Sequence, residues 1–302
     1  MTATAIMEER FTHDSVLLQE VVDLLVTNRD GVYLDGTVGL GGHAEAILES
    51  LSVQGKLLGT DMDPEALERS TERLQPFTGR FRLVRANFRN LDQILDAEGV
   101  SQLSGALFDL GVSSLQLDKA SRGFAHRLEG PLDMRLDPES KLTAARICNE
   151  WPAEQIELLL REYGEERAAK RIARWIVDTR KDQPFETTSQ LADLLEKRLP
   201  RQGKIHVATK TFMALRIAVN QELENLTRGI ESVINRIAPG GRIAVISFHS
   251  LEDRIVKNLF RSLADHGQVK LITNSPVSPG IEEADRNSRA RSSKLRVVER
   301  TA

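Results

Sequence analysis

Apolar positions along the chain change their period twice, and those changes predict the architecture. Val32-Tyr33-Leu34 is a short apolar run of β-formers closing on Asp35, and Leu57-Leu58-Gly59-Thr60 closes on Asp61 in the same way. Phe81 to Val84 reads as a third strand, and Gly105 to Phe108 as a fourth that ends at Asp109. Helical spacing fills the gaps: Ser15–Leu25, Ala44–Leu51, a segment from Pro64 to about Leu74, and Leu91–Leu95. Asp63-Pro64 supplies the third of these with a cap and a first-turn proline, whose missing N–H costs nothing there. Strand-helix alternation of this kind predicts an α/β fold with a parallel, doubly wound sheet.

The alternation then stops. Between Gln116 and about Ile217 there is no good strand, and amphipathic helices are predicted near 154–163, 165–180 and 188–199, with turns at Gly164, Asp182–Pro184 and Pro200–Gly203. Thr209 to Ile237 reads as one long helix ended by Gly240-Gly241, and Arg242 to Phe248 as a strongly apolar fifth strand. Glu252–Leu263 is the next helix; Val269–Ile272 and Leu295–Val298 are candidate closing strands around a polar loop. A helical domain inserted into the sheet domain is the simplest account: residues 1–116 and 218–302 form the discontinuous core, and 117–217 the insert. Residues 1–12 read as a loose arm.

The first strand leads into a turn with glycines at 36, 39, 41 and 42, and the second ends in an acid twenty residues after Gly41. A glycine turn lets backbone N–H groups approach a ligand, and an acid at the next strand end can accept from both ribose hydroxyls of a nucleoside. The spacing alone leaves a dinucleotide such as NAD and S-adenosylmethionine both open. In open parallel sheets ligands bind beyond the carboxyl ends of the strands, where Asp35, Asp61, Asn87-Phe88 and Asp109 converge. Phe88 has two readings of equal weight, an adenine-stacking ring or a core ring beneath the crevice.

Composition narrows the class. With 40% hydrophobic and 28% charged residues, this is the make-up of an ordinary globular protein. No apolar run approaches the roughly 20 residues that span a bilayer, and Met1 to Arg10 carries acids rather than a secretory core. One cysteine, Cys148, excludes a disulfide frame and a cysteine metal site, and the six histidines lack metal-ligand spacing. A cytoplasmic protein without a metal centre is expected. The net charge of −3 hides an asymmetry: 197–216 holds six Lys/Arg and no acid, and 286–298 five and no acid, leaving −14 on the remainder. Either run alone could be a solvated face; together they favour local phosphate contacts.

Longer motifs then come into view. Asp109-Leu-Gly-Val-Ser-Ser, Gln116-Leu-Asp118, Arg122-Gly-Phe124 and Gly130-Pro-Leu-Asp-Met-Arg135 closely resemble the RsmH (MraW) family. So do Ile246-Ser-Phe-His-Ser-Leu-Glu-Asp-Arg-Ile-Val-Lys257 and Arg289-Ala-Arg-Ser-Ser-Lys-Leu-Arg296. The resemblance runs from His13 onward. It implies a class I S-adenosylmethionine-dependent methyltransferase core with a helical insert, and methylation of N4 of a cytidine, position 1402, in 16S rRNA of the small ribosomal subunit. Carried over by motif, the donor-contacting positions are Gly41, Gly42, His43, Asp61, Phe88, Asp109 and Gln116. Asp109 is the candidate catalytic group by position. The alternative that it only holds the donor stays open, because Leu110-Gly111-Val112 stands where related amino-methyltransferases place a proline-aromatic run. An NAD oxidoreductase and a non-catalytic RNA-binding factor on the same fold are the competing classes, and a homodimer is left open.

Overall fold

The computed structural model describes residues 15–200 and 206–302. The arm expected over 1–12, and His13 where the resemblance begins, lie outside the described residues. The chain divides into two compact units, residues 1–111 with 223–302, and residues 112–222. The division therefore falls a few residues away from the 116/117 and 217/218 limits read from the sequence.

The first unit is built on seven strands: β1 (Val32–Asp35), β2 (Lys56–Asp61), β3 (Phe81–Arg85), β4 (Leu103–Asp109), β5 (Ile237–Ser247), β6 (Val269–Leu271) and β7 (Lys294–Arg300). They form one sheet in the order β3-β2-β1-β4-β5-β7-β6. The pairs among β1 to β5 are parallel, but β7 runs antiparallel to both β5 and β6. The expectation of a wholly parallel sheet is corrected at this strand. No crossover helix of the kind that returns a chain parallel is needed, since β6 and β7 are hydrogen-bonded neighbours that follow one another in sequence.

Apolar residues alternate between two cores, which explains why the strands read as unbroken apolar runs. Leu34, Leu58, Ala106, Phe108, Ile243 and Val245 face one layer, filled by Leu226, Ile230 and Val233 of the helix Glu222–Ile234. Tyr33, Leu57, Leu107, Ala244 and Ile246 face the other, filled by Leu25 and by Ile47 and Leu48 of the helix Gly42–Ser50. Each of these residues is essentially withdrawn from water. Burying such a side chain contributes roughly 1.5–3 kcal/mol, so the two layers dominate the stability of the unit.

Two expectations on the return path fail for local reasons. The helix expected from Thr209 to Ile237 is two helices, Thr209–Asn220 and Glu222–Ile234, because Gln221 takes a left-handed conformation at φ 52° and its N–H closes on Ile217 O. Gly240-Gly241 does not end a helix. It lies within β5, where the pairing jumps from Leu103↔Ile237 to Gly105↔Arg242 and Gly240 sits at φ 77°. A bulge of this kind uses glycine for its positive φ.

The second unit is helical. Ala144–Glu150, Ala153–Gly164, Ala169–Thr179, Thr188–Arg198 and Thr209–Asn220 surround a core that includes Ile147, Ile156, Leu160, Ile172, Ile176, Leu191, Leu195, Phe212 and Leu215. The helix expected over 165–180 starts later, at Ala169, because Glu165 adopts φ 46° and terminates the preceding one. The helix Ala144–Glu150, with Thr143 accepting from Arg146 N as its cap, was not foreseen. Among the described residues no helix is long and apolar enough to cross a membrane.

Candidate active site

Strand register places the acids. Asp35, the last residue of β1, pairs with Gly59 of β2 and Leu107 of β4. Both neighbours run two residues further, to Asp61 and Asp109, so these carboxylates overhang β1 on either side of the turn that leaves it. Thr37 in that turn ties the ends of β1 and β4 together. Its N–H donates to Asp35 Oδ1 at 3.1 Å, and its hydroxyl accepts from Asp109 N at 2.7 Å. Gly39 N donates to Asp61 Oδ2 at 2.9 Å, and Asp63 N to Asp61 Oδ1 at 2.9 Å. The sequence reading missed Thr37; a hydroxyl two residues past a strand-end acid was the available signal.

The glycines divide the work of the turn. Gly41 caps the helix Gly42–Ser50 at φ 80°, and a Cβ on it would lie 3.1 Å from the Ser70 side chain. Gly39 also has positive φ, at 50°, yet a Cβ there would meet only Thr37 O, at 3.8 Å. The open space beside the turn is thus at Gly39, while Gly41 serves helix packing.

His43 follows in the first turn of that helix and is 5% exposed. Its Nε2 faces the carbonyl of Val16 at 2.9 Å, and its Nδ1 lies 3.5 Å from Asp109 Oδ2. A carbonyl can only accept, so Nε2 carries the proton and Nδ1 is the acceptor turned to Asp109. Burial holds the imidazole below its ordinary value, which keeps it neutral at pH 7.

Burial acts on the acids in the opposite direction. It raises Asp35 to about 7, Asp61 to about 6 and Asp109 to about 7. For Asp109 the nearby Glu252 adds to the effect. Glu252 is 2% exposed and accepts from Phe248 N and His249 N, which fixes its charge at the start of the helix Ser250–Asp265. Asp109 Oδ1 is buried with no hydrogen-bond partner. An unpaired buried carboxylate oxygen costs about 1–3 kcal/mol and calls for a donor from outside the chain.

Gly39, Gly41, Gly42, His43, Asp61 and Asp109 therefore gather at one end of the sheet. Phe88 opens the short turn after β3, which Asn87 caps through Arg89 N. Its ring meets Phe108 edge-on, with centroids 5.5 Å apart, and a Cβ on Gly229 would come within 2.5 Å of it. Gln116 belongs to the helical unit, where it is 4% exposed and forms a reciprocal capping box with Ser113.

The two basic runs are partly tied into the fold. In 286–298, Lys294 and Arg296 both bind Asp253, at 3.0 and 2.7 Å, and Arg291 donates to Ala284 O. In 197–216, Arg216 pairs with Glu222 at 2.8 Å and Arg198 lies 5.6 Å over the ring of Trp175. Arg201 and Lys204 lie outside the described residues. Within the described residues, several cations of these runs are committed to the fold itself.

The model of the MraW methylase family matches residues 10–301. Ribosomal RNA small subunit methyltransferase H of Trichlorobacter lovleyi is 49% identical over 310 residues, covering 97% of this chain and 99% of its own. The protein of the same name from Heliobacterium modesticaldum is 47% identical over 309 residues, covering 96% and 99%. The crystal structure of an rRNA methylase from Streptococcus thermophilus aligns over 94% of each chain at 12% identity and a TM-score of 0.44, too remote to bear on the chemistry.

Proposed function

The chain belongs to the MraW methylase family, and on that premise we propose that it methylates N4 of a cytidine, position 1402 of 16S rRNA, within the small ribosomal subunit in the cytoplasm. It is a methyltransferase of the class I fold, and its methyl donor is S-adenosylmethionine. The crevice fits that donor: the space beside Gly39 and the strand-end acid Asp61 suit a nucleoside with ribose hydroxyl donors. Asp61 and the backbone of Gly39, Gly41 and Gly42 would hold the nucleoside part, with His43 fixing the turn through Val16. Phe88 and Gln116 are proposed as its further contacts.

The donor supplies an electrophilic methyl on sulfur. What remains for the protein is alignment, exclusion of water and a place for the proton. The amine of cytosine is a weak nucleophile because its lone pair is delocalised into the ring. Asp109 Oδ1, buried and unpaired, is the observation that carries the reading. It accepts an N–H of the amine, aims the lone pair at the methyl carbon, and takes the N4 proton as the C–N bond forms and the C–S pair returns to sulfur.

Lys294 and Arg296 are paired within the fold, so these two cations are not free to select one cytidine from naked RNA by charge. We therefore propose that the assembled particle, rather than free RNA, presents the target base. Labelled donor incubated with small-subunit particles and with protein-free 16S rRNA tests both parts. N4-methylcytidine formed mainly on particles is the expected product. Methylation at carbon 5 overturns the assignment, and equal rates on free RNA overturn the requirement for particle shape.

A further inference from the structure

The helical unit holds a cleft of about 460 Å³ whose walls include Arg167, Arg171, His206 and Lys210 on one hand and Leu199, Pro200 and Val207 on the other. That volume falls within the roughly 300–1,000 Å³ of small-ligand pockets, enough for one nucleotide and too small for a duplex. Of the basic lining residues, His206 pairs with Glu196 at 2.7 Å, while the other three form no ion pair among the described residues. Among the described residues Arg167 has no ion-pair partner, Arg171 faces the ring of Trp175 at 5.7 Å, and Lys210 Nζ donates to the carbonyl of Glu165 at 3.0 Å. The one acid of the lining, Glu166, turns its Oε1 back to accept from Ala168 N at 2.8 Å.

Several other cations of the same unit are paired: Arg135 with Asp133, Arg146 with Glu150, Arg161 with Glu157, Arg216 with Glu222. Arg167, Arg171 and Lys210 outnumber the one acid of the lining, Glu166, so their mutual repulsion around the concavity is relieved when an anion enters.

We propose that this cleft seats a single-stranded nucleotide of the ribosomal RNA flanking the target base. Arg167, Arg171 and Lys210 hold its phosphodiester, and its base or sugar lies on Leu199, Pro200 and Val207. The mixture of cationic and apolar walls is what separates this from an inorganic anion site, since a phosphate ion has no use for the apolar side. The proposal rests on the RNA-methylating reading above, but it can be decided without any methyl transfer.

The test compares the full chain with its Arg167→Ala/Arg171→Ala variant in binding to small-subunit particles across a salt series. Losing that one phosphate contact lowers the log–log salt slope by about 0.7, so from about 50 to 200 mM salt the wild type loses about 2.6-fold more affinity than the variant. Arg167→Lys/Arg171→Lys restores the slope, and affinity for S-adenosylmethionine is the same in all three proteins, which shows that the fold is intact. Both arginines are exposed, so the alanine variant is expected to fold. A variant with wild-type particle affinity and slope overturns the proposal. So does one that loses binding of free cytidine monophosphate while keeping that of the particle, which would make the cleft a metabolite site. Failure of the wild type to form N4-methylcytidine overturns the functional reading instead, and leaves the binding comparison to decide the cleft.

Discussion

The two units place charge in opposite ways. In the sheet unit Asp35 is 1% and His43 5% exposed, and Asp61 and Asp109 have both been driven up from the ordinary carboxylate range by burial. In the helical unit the core from Phe124 to Val219 is apolar, and Arg167, Arg171 and Lys210 stand at the surface. Desolvated polar groups are costly to build, and they gain most when the partner they await arrives. Solvated cations are inexpensive and act at range. The contrast matches the roles proposed above, bond making in the first unit and long-range capture of a polyanion in the second.

The comparison breaks most sharply at Asp109. Asp109→Ala removes the proposed proton acceptor, and kcat should fall by about 10²–10⁴, the usual share of general base catalysis. Single-turnover methylation of particles measures it; a fall of less than threefold would leave Asp109 as a donor contact only. The wild-type rate also carries a pH signature. Burial holds Asp109 protonated until about pH 7, and only the ionised form accepts a proton, so kcat rises as pH is raised through 7. The same shift means that the folded chain binds more protons than the unfolded one between about pH 4 and 7, so this group makes the protein less stable as pH rises across that window. A pH–rate limb near 4 instead would place the acceptor elsewhere.

Asp61→Ala comes next in size. It leaves the ribose hydroxyls and Gly39 N without their acceptor, at about 1–3 kcal/mol, which is about a 5- to 150-fold loss of donor affinity. Calorimetry on the folded variant decides this, and unchanged binding removes Asp61 from the site. The smallest effect sharpens the contrast from the other side. Lys294 is 40% exposed and paired with Asp253, so Lys294→Ala should cost no more than about 1 kcal/mol of stability. Its salt slope for particle binding should equal the wild type's, unlike that of the arginine pair at 167 and 171. A reduced slope would return the second basic run to the RNA.

The strand ends were legible because each strand is an apolar run that stops at an acid: Asp35, Asp61 and Asp109 all terminate their strands. Other features left little trace. Helical periodicity continues through Gln221, so nothing in the pattern marks the left-handed residue that splits the helix. Gly240-Gly241 carries the same signal whether it ends a helix or bulges a strand, and only pairing with β4 distinguishes them. Arg167 and Arg171 sit at the start of an ordinary amphipathic helix, far in sequence from Leu199 and Lys210, so the cleft exists only through tertiary packing. Conversely, the run 286–298 looked free because Asp253, the partner of Lys294 and Arg296, lies some forty positions away.

The place of β7 has a consequence for synthesis. It follows the other six strands in sequence yet lies between β5 and β6, and those two strands have no pairing of their own. While the polypeptide emerges from its N-terminus, β5 therefore presents an open edge and β6 has no neighbour until Lys294–Arg300 has been made. An unpaired apolar edge is a template for pairing with another chain. The 111 residues of the helical unit are complete well before that point and need no partner from the last strand. Vectorial folding would thus finish one half of the molecule first and hold the sheet open until the last strand slots in.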